Sequence, residues 1–300
     1  MQHLILNDMK NWMKKIPDEK KITGINMPGT HDSACRFVDF GFISQTQTLS
    51  VAQQLEAGVR YFDFRFKFTD GRFIANHSIC YCRKKKGFRS EILTADDIVK
   101  ECLDFLNDNP TETILFQLKE AESHTGIDFY TGFYKKYIEP CKEKWFSENR
   151  IPIMGETRGK IILLRAVSAD VDIFTDENCG IDFTDYPYVG TYNFDDWKTG
   201  EISTLSGDVY AEMFVQDSYK SEGKHKWGTI TRFLESGLDE KSFNICYTSC
   251  TRILVPRISS RSINKKLMSY DFCGRYTGII AMDFVNAQLC RKIIEKQVEK

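Results

Sequence analysis

What most limits the fold of this chain is its rhythm. Short apolar runs that read as strands alternate with longer stretches at helical spacing along nearly its whole length. Ile22–Met27 reads as a strand ahead of a Pro28-Gly29 turn. Val51–Ala57 is helix-like with Gly58 as its stop, and Val59–Phe66 alternates and is rich in aromatics. Strand character returns at Phe73–Asn76, Thr113–Leu118, Lys160–Val167, Val209–Val215, Asn244–Thr248 and Thr277–Met282. Helical stretches fall between them. Ala95–Leu106 opens on a Thr94/Asp97 capping pair; Ile127–Phe146, a run up to Leu234 and a closing Gln288–Val298 follow. Alternating strand and helix predicts a parallel sheet with crossover helices. About eight strands fit one α/β domain over residues 1–300, a single (β/α)8 TIM-type barrel of irregular build, better than two domains. Ser168–Asp208 breaks the rhythm: it is long, acidic and aromatic, as functional loops often are.

Composition narrows the class. The net charge of -1 gives no global pull toward nucleic acid or an anionic membrane, so electrostatic recognition must be local. No run reaches the ~18 apolar residues of a membrane span, so any membrane association is peripheral. In residues 1–16, Asn7, Asp8, Lys10, Asn11, Lys14 and Lys15 interrupt any leader sequence. Leu4, Ile5, Met9, Trp12 and Met13 recur there at helical spacing instead. The expected location is cytoplasmic or peripheral to a membrane, or secreted if a leader has been removed. The ten cysteines are scattered, and reduced thiols are the default. His77, Cys80 and Cys82 resemble half of a zinc site, but no second half matches, so no metal and no cofactor are expected.

Four groups of reactive residues fall at the downstream ends of expected strands, the active-site face of such a barrel. They are His31-Asp32 after Pro28-Gly29-Thr30, Asp63-Phe64-Arg65, Asn76-His77, and Met282-Asp283-Phe284. Two histidines suit a general base and a general acid near neutral pH. Asp283 is suited to orient one imidazole, and the planar fork of Arg65 matches two phosphate oxygens. Together they point to phosphodiester cleavage without a metal. The bland readings stay open beside this one: structural histidines, Asp32 as a cap, and Asp63 with Arg65 as a buried ion pair.

The ordered strings Ile25–Ser33, Gly58–Arg65, Pro110–Glu120, Arg158–Arg165, Val215–Tyr219 and Ile280–Phe284 resemble the phospholipase C catalytic domain, from about Ile22 to Lys292. Asp32 and Arg65 stand where the bacterial phosphatidylinositol-specific enzymes, rather than the calcium-dependent ones, have them. The resemblance implies a metal-independent cleavage of phosphatidylinositol to diacylglycerol and inositol 1,2-cyclic phosphate. His31 would be the base, His77 the acid helped by Asp32, Arg65 the phosphoryl stabiliser and Asp283 the orienter of His31. Lys119, Asp217 and Tyr219 match inositol-binding positions. Related sequences carry a basic residue where this chain has Ala166, so Arg165 is the expected substitute or else faces outward. The implied partner is phosphatidylinositol in a membrane surface, met by a monomer. Two alternatives remain: a phosphodiesterase for another or a glycosylated headgroup, and a catalytically inactive lipid-binding module. At the periphery, Arg83-Lys84-Lys85-Lys86 reads equally as an anionic-lipid contact or a solvated loop. Phe40, Phe42 and Ile43 read as bilayer contacts, and Phe37 and Val38 rather as cover for the barrel mouth.

Overall fold

The computed structural model describes residues 9–121, 127–187, 197–220, 223–250 and 255–295. Its strands are β1 Met27–Thr30, β2 Tyr61–Thr69, β3 Arg72–His77, β4 Cys80–Tyr81, β5 Ile114–Glu120, β6 Trp145–Phe146, β7 Ile161–Arg165, β8 Ile181–Asp182, β9 Lys198–Ser203, β10 Val209–Gln216, β11 Phe243–Tyr247 and β12 Ile279–Met282. Hydrogen bonds join them in the order β6-β7-β5-β2-β1-β12-β11-β10-β9, all parallel except β9 against β10. Helices Val51–Glu56, Ala95–Asp108, Ile127–Phe133, Gly223–Glu235 and Pro256–Ser269 make the crossovers, and Ala287–Ile294 follows β12. This is the expected α/β barrel in irregular form. Among the described residues the ladder does not close, because β6 and β9 end it.

The first strand begins where a turn was expected. Ile22–Gly24 forms a 3-10 turn instead, and the strand runs through Pro28 and Gly29. Pro28 still accepts from Arg60 N at 3.0 Å on the β2 side. The donor it lacks would face Gly58 in the parallel ladder, and the Gly58 carbonyl takes Trp12 Nε1 at 3.0 Å. Gly29 is required sterically, since a Cβ there would stand 2.7 Å from Tyr61 Cδ1.

The Phe73–Asn76 strand exists but is not a barrel strand. β3 folds back antiparallel on β2 through the Asp70-Gly71 turn, where both residues have positive φ. Four short strands were missed. β4 follows directly on β3, β6 lies in a stretch read as helix, and β8 and β9 lie in the stretch read as loop. Of the amphipathic segment expected at the start, Trp12–Lys15 is a 3-10 helix with Trp12 and Met13 buried, while Leu4 and Ile5 lie outside the described residues. The end of the closing helix beyond Glu295 lies outside them too.

Burial explains the tightness of the lower half. Arg60 is fully buried beneath β2 and donates to Glu112 Oε2 (2.8 Å), Leu55 O (2.9 Å) and Lys10 O (2.8 Å). Gly58, with φ of 103°, leaves room that a Cβ would fill: Met9 Cε would be 2.6 Å away and Ile294 Cδ1 3.0 Å. The outer face of β2 and β5 packs Phe64 on Phe116, centroids 4.5 Å apart, beneath Phe133. The inner face carries Tyr61, whose hydroxyl donates to Gln117 and meets Tyr247 Oη at 2.9 Å.

Candidate active site

β2 points Asp63 and Arg65 to the same, inner face because strand side chains alternate. β5 adds Lys119, in register with Arg65. β1 ends at Thr30, so His31 and Asp32 emerge on the rim. That loop is fixed from several sides. Gln47 Nε2 donates to His31 O (2.9 Å) and Met282 O (2.8 Å), and Thr46 Oγ1 donates to Asp32 O (2.9 Å). Asp32 adopts φ of 41°, a left-handed conformation tolerated here by a buried aspartate. β12 delivers Asp283 beside His31. The β2–β3 hairpin, with Phe66 opposite Ala75, brings His77 back toward the level of Arg65. His77 thus arrives from an antiparallel strand, not from a third barrel strand.

These residues form one array. Asp32 Oδ2 lies 3.2 Å from His31 Nε2 and 3.2 Å from His77 Nε2, and Asp32 Oδ1 lies 2.9 Å from Arg65 Nε. Arg65 Nη2 donates to Asp63 Oδ2 at 2.9 Å, and Lys119 Nζ lies 3.2 Å from Asp63 Oδ1. The second nitrogen of each histidine is engaged. His31 Nδ1 lies 2.8 Å from Asp283 Oδ1, and His77 Nδ1 donates to the Ser44 carbonyl at 2.9 Å. A carbonyl can only accept, so Nδ1 of His77 carries a proton, and both Nε2 atoms point at the same carboxylate.

Electrostatics follow from burial and pairing. Burial works against charge on His31, yet Asp32 and Asp283 raise it from 6.5 to about 9. Burial would raise Asp32, but Arg65 and then the two histidines hold it below the usual range. Asp63 is likewise held far below it, by Arg65 and Lys119. Burial pushes Asp283 up, partly offset by His31, and lowers Lys119, partly offset by Asp63.

His31, Arg65, His77, Lys119, Asp217, Tyr219 and Asp283 line one cavity of about 650 Å³, with Asp32 and Asp63 beneath its floor. Asp217 is buried, and burial raises it against the pull of Lys226. Arg165 is the correction. Leu118 pairs with Arg165, and the alternation that turns Lys119 inward turns Arg165 outward. Its guanidinium is buried, donates to Cys179 O (2.7 Å) and Val167 O, and lies 3.4 Å from Asp182. Ala166 lines the cavity in its place.

Sequence reasoning missed two aromatic walls. Lys119 Nζ lies 4.2 Å above the Tyr186 ring and 5.6 Å from that of Tyr247, which also meets the His31 ring edge-on at 5.7 Å. Tyr247 was reachable from the alternation of β11; Tyr186 sits in the segment without periodicity. Among the described residues, His31, Asp32 and Asp63 are the one grouping whose atoms could share a metal ion. The Arg65 guanidinium already bridges its two carboxylates. Cys82 Sγ packs on Cys35 Sγ at 3.4 Å in the interior, so it forms no such group with His77 and Cys80.

An α/β barrel whose rim converges two histidines, an arginine and paired carboxylates has the makings of an acid–base phosphodiester enzyme. The family model described as PI-PLC X 1 matches residues 18–139. The chain is 29% identical over 303 residues to the 1-phosphatidylinositol phosphodiesterase of Listeria monocytogenes, covering 95% of this chain and 84% of that one. It is 26% identical over 250 residues to the Staphylococcus aureus protein of the same name, covering 80% and 74%. The fold matches the phosphatidylinositol-specific phospholipase C of S. aureus with a TM-score of 0.75 at 19% identity, over 97% of this chain and 98% of that one. It matches that of L. monocytogenes at 0.74 and 24%, over 96% and 98%. The chain thus resembles bacterial phosphatidylinositol-specific phospholipases C, and its fold is theirs.

Proposed function

We propose that this protein cleaves phosphatidylinositol to diacylglycerol and inositol 1,2-cyclic phosphate, without a metal ion. The observation that carries the reading is the Asp32 carboxylate held 3.2 Å from both histidine Nε2 atoms, with Arg65 on its other oxygen. A phosphodiester seated over that carboxylate lies between a base and an acid. His31 Nε2 takes the proton of the inositol 2-hydroxyl, whose oxygen attacks phosphorus from within the substrate, so no water needs capture. Arg65 neutralises charge growing on the phosphoryl oxygens. His77 Nε2 gives its proton to the departing diacylglycerol oxygen. Asp283 keeps the His31 proton on Nδ1 in the neutral ring. Lys119, Asp217 and Tyr219 face the headgroup, with Tyr186 and Tyr247 fixing Lys119.

Peripheral contact with a lipid surface fits the cavity mouth. Ile43 lines the cavity, and the neighbouring Phe42 is 79% exposed. Phe40 packs its ring on that of exposed Phe88, centroids 5.9 Å apart. Phe37 and Val38 are half-buried, and Phe37 lines a separate cavity beside Arg36 and Leu49. No described helix is long and apolar enough to cross a membrane.

The test uses phosphatidylinositol in excess chelator, followed by phosphorus NMR. The expected first product is the five-membered cyclic phosphate, formed at an undiminished rate. Turnover that stops in chelator and returns with calcium would defeat the metal-free reading. A first product of open inositol phosphate would defeat the internal attack.

A further inference from the structure

The basic residues near the cavity mouth fall into two sets. On the loop after β4, Arg83 is engaged by Asp39 at 2.6 Å, and Lys84 by Asp97 at 2.8 Å and Glu91 at 3.3 Å, while among the described residues exposed Lys85, Lys86 and Arg89 meet no carboxylate but share their loop with Glu91. The Pro256–Ser269 helix differs. It carries Arg257, Arg261, Lys265 and Lys266 and no acidic residue, in a chain of net charge -1. Among the described residues none of the four meets a carboxylate. Arg257, Arg261 and Lys265 recur every four residues, so they share one face, and all three are exposed. Arg257 and Arg261 border an open groove of about 430 Å³ that no acidic side chain lines. The Arg257 guanidinium lies 5.1 Å over the Phe284 ring and donates to Gln45 Oε1 at 3.3 Å, leaving donors free.

The groove shares its rim with the catalytic mouth. Pro256, one residue before Arg257, lines the catalytic cavity, and Ile258 beside it is 54% exposed. Gln45 follows directly on the short helix Gly41–Ser44 that carries exposed Phe42 and Ile43.

We propose that this groove is a second lipid site, outside the catalytic cavity: the phosphodiester of an anionic phospholipid, in the same leaflet as the substrate, docks between Arg257 and Arg261. The proposal rests on the proposed function only in that the cavity mouth faces a bilayer. Guanidinium forks match phosphate oxygens in pairs. The absence of competing carboxylates leaves that capacity unspent, and the exposed Ile258 lies where the headgroup gives way to acyl chain.

The experiment is sedimentation of the full chain with phosphatidylcholine vesicles, with and without phosphatidylglycerol. Binding should strengthen with phosphatidylglycerol and weaken with salt. Arg257→Gln with Arg261→Gln should weaken partition to anionic vesicles roughly 30-fold, about fivefold for each basic residue at a charged surface. The same pair changed to Lys keeps the charge and should restore most of the binding. Arg261→Gln alone, at an exposed position, carries the test if the double variant does not fold. Unchanged anionic-vesicle binding in these variants would overturn the proposal, as would an equal loss on pure phosphatidylcholine. Loss in Lys85→Gln with Lys86→Gln, but not in the arginine pair, would move the contact to the loop after β4. Inorganic phosphate, followed by arginine side-chain NMR, separates the two sources of the anion: shifts at Arg257 and Arg261 with no vesicle dependence would mark a free-phosphate site and overturn the lipid reading. If phosphatidylinositol is not turned over but vesicle binding still depends on the pair, the catalytic reading fails and the docking site stands.

Discussion

Replacing Asp283 by Asn tests whether the carboxylate behind His31 sets the pH at which the site works. His31 is raised from 6.5 to about 9 although burial pulls the other way. Asp32 and Asp283 together therefore outweigh burial by roughly 3 kcal/mol, at ~1.36 kcal/mol per tenfold. A base must be neutral to act. In kcat/KM, which reports the free enzyme, the rate should thus climb with pH until the ring sheds its proton near 9. Asp283→Asn removes one of the two attractions, 2.8 Å from Nδ1, and keeps the shape. If the two carboxylates contribute comparably, the rising limb should move down by about one pH unit or more. Its plateau should fall by orders of magnitude, because an amide no longer favours the working tautomer. The assay is kcat/KM on a soluble phosphatidylinositol analogue across pH. The limb reports the histidines as a coupled pair, so the shift between variant and parent is the measurement. A limb that stays in place or moves up would refute the reasoning. Stability gives a second readout. A ring whose folded value lies above its unfolded one stabilises fully below about 6.5, and that contribution is lost as pH rises through about 9. In Asp283→Asn this alkaline loss, read from urea midpoints, should shrink.

Two further outcomes follow from positions the sequence left unsettled. Arg165→Met should cost about 3 kcal/mol in urea unfolding, because it strips buried carbonyls and Asp182 of their partner, while KM stays near the parent value; a large rise in KM with stability intact would return Arg165 to the headgroup site. Tyr186→Ala should raise KM severalfold by removing a ring contact to Lys119 worth ~1 kcal/mol, and Tyr186→Phe should restore it; equal damage in both variants would assign the effect to the hydroxyl and not to the ring.

The barrel was legible because its rhythm is written in long elements. The strands at Thr113–Leu118, Lys160–Val167 and Thr277–Met282 fall within a few residues of β5, β7 and β12. The errors have local causes. Pro28 and Gly29 are turn residues by habit, but a missing donor opposite an occupied carbonyl and a missing Cβ beside Tyr61 make them strand residues here. The Asp70-Gly71 pair did announce a hairpin, and His77 was read as the end of a barrel strand without weighing it. The site's charged residues were legible because each falls at a strand end in a short motif. Arg165 was misplaced because motif matching does not fix which face a residue takes, whereas the Leu118 register does. Tyr186 was invisible because nothing periodic surrounds it.

The glycine at the foot of β2 has a practical bearing. Met9 and Ile294, far apart in sequence, both close over Gly58, at the base of the barrel and away from the strand ends that carry the histidines. The two ends of the described residues are therefore neighbours on the side opposite the cavity mouth. A tether, label or fusion partner attached near either of them would hang behind the protein. The mouth would stay clear for a flat surface, so vesicle measurements on a tethered or immobilised sample report the same face as those on the free protein.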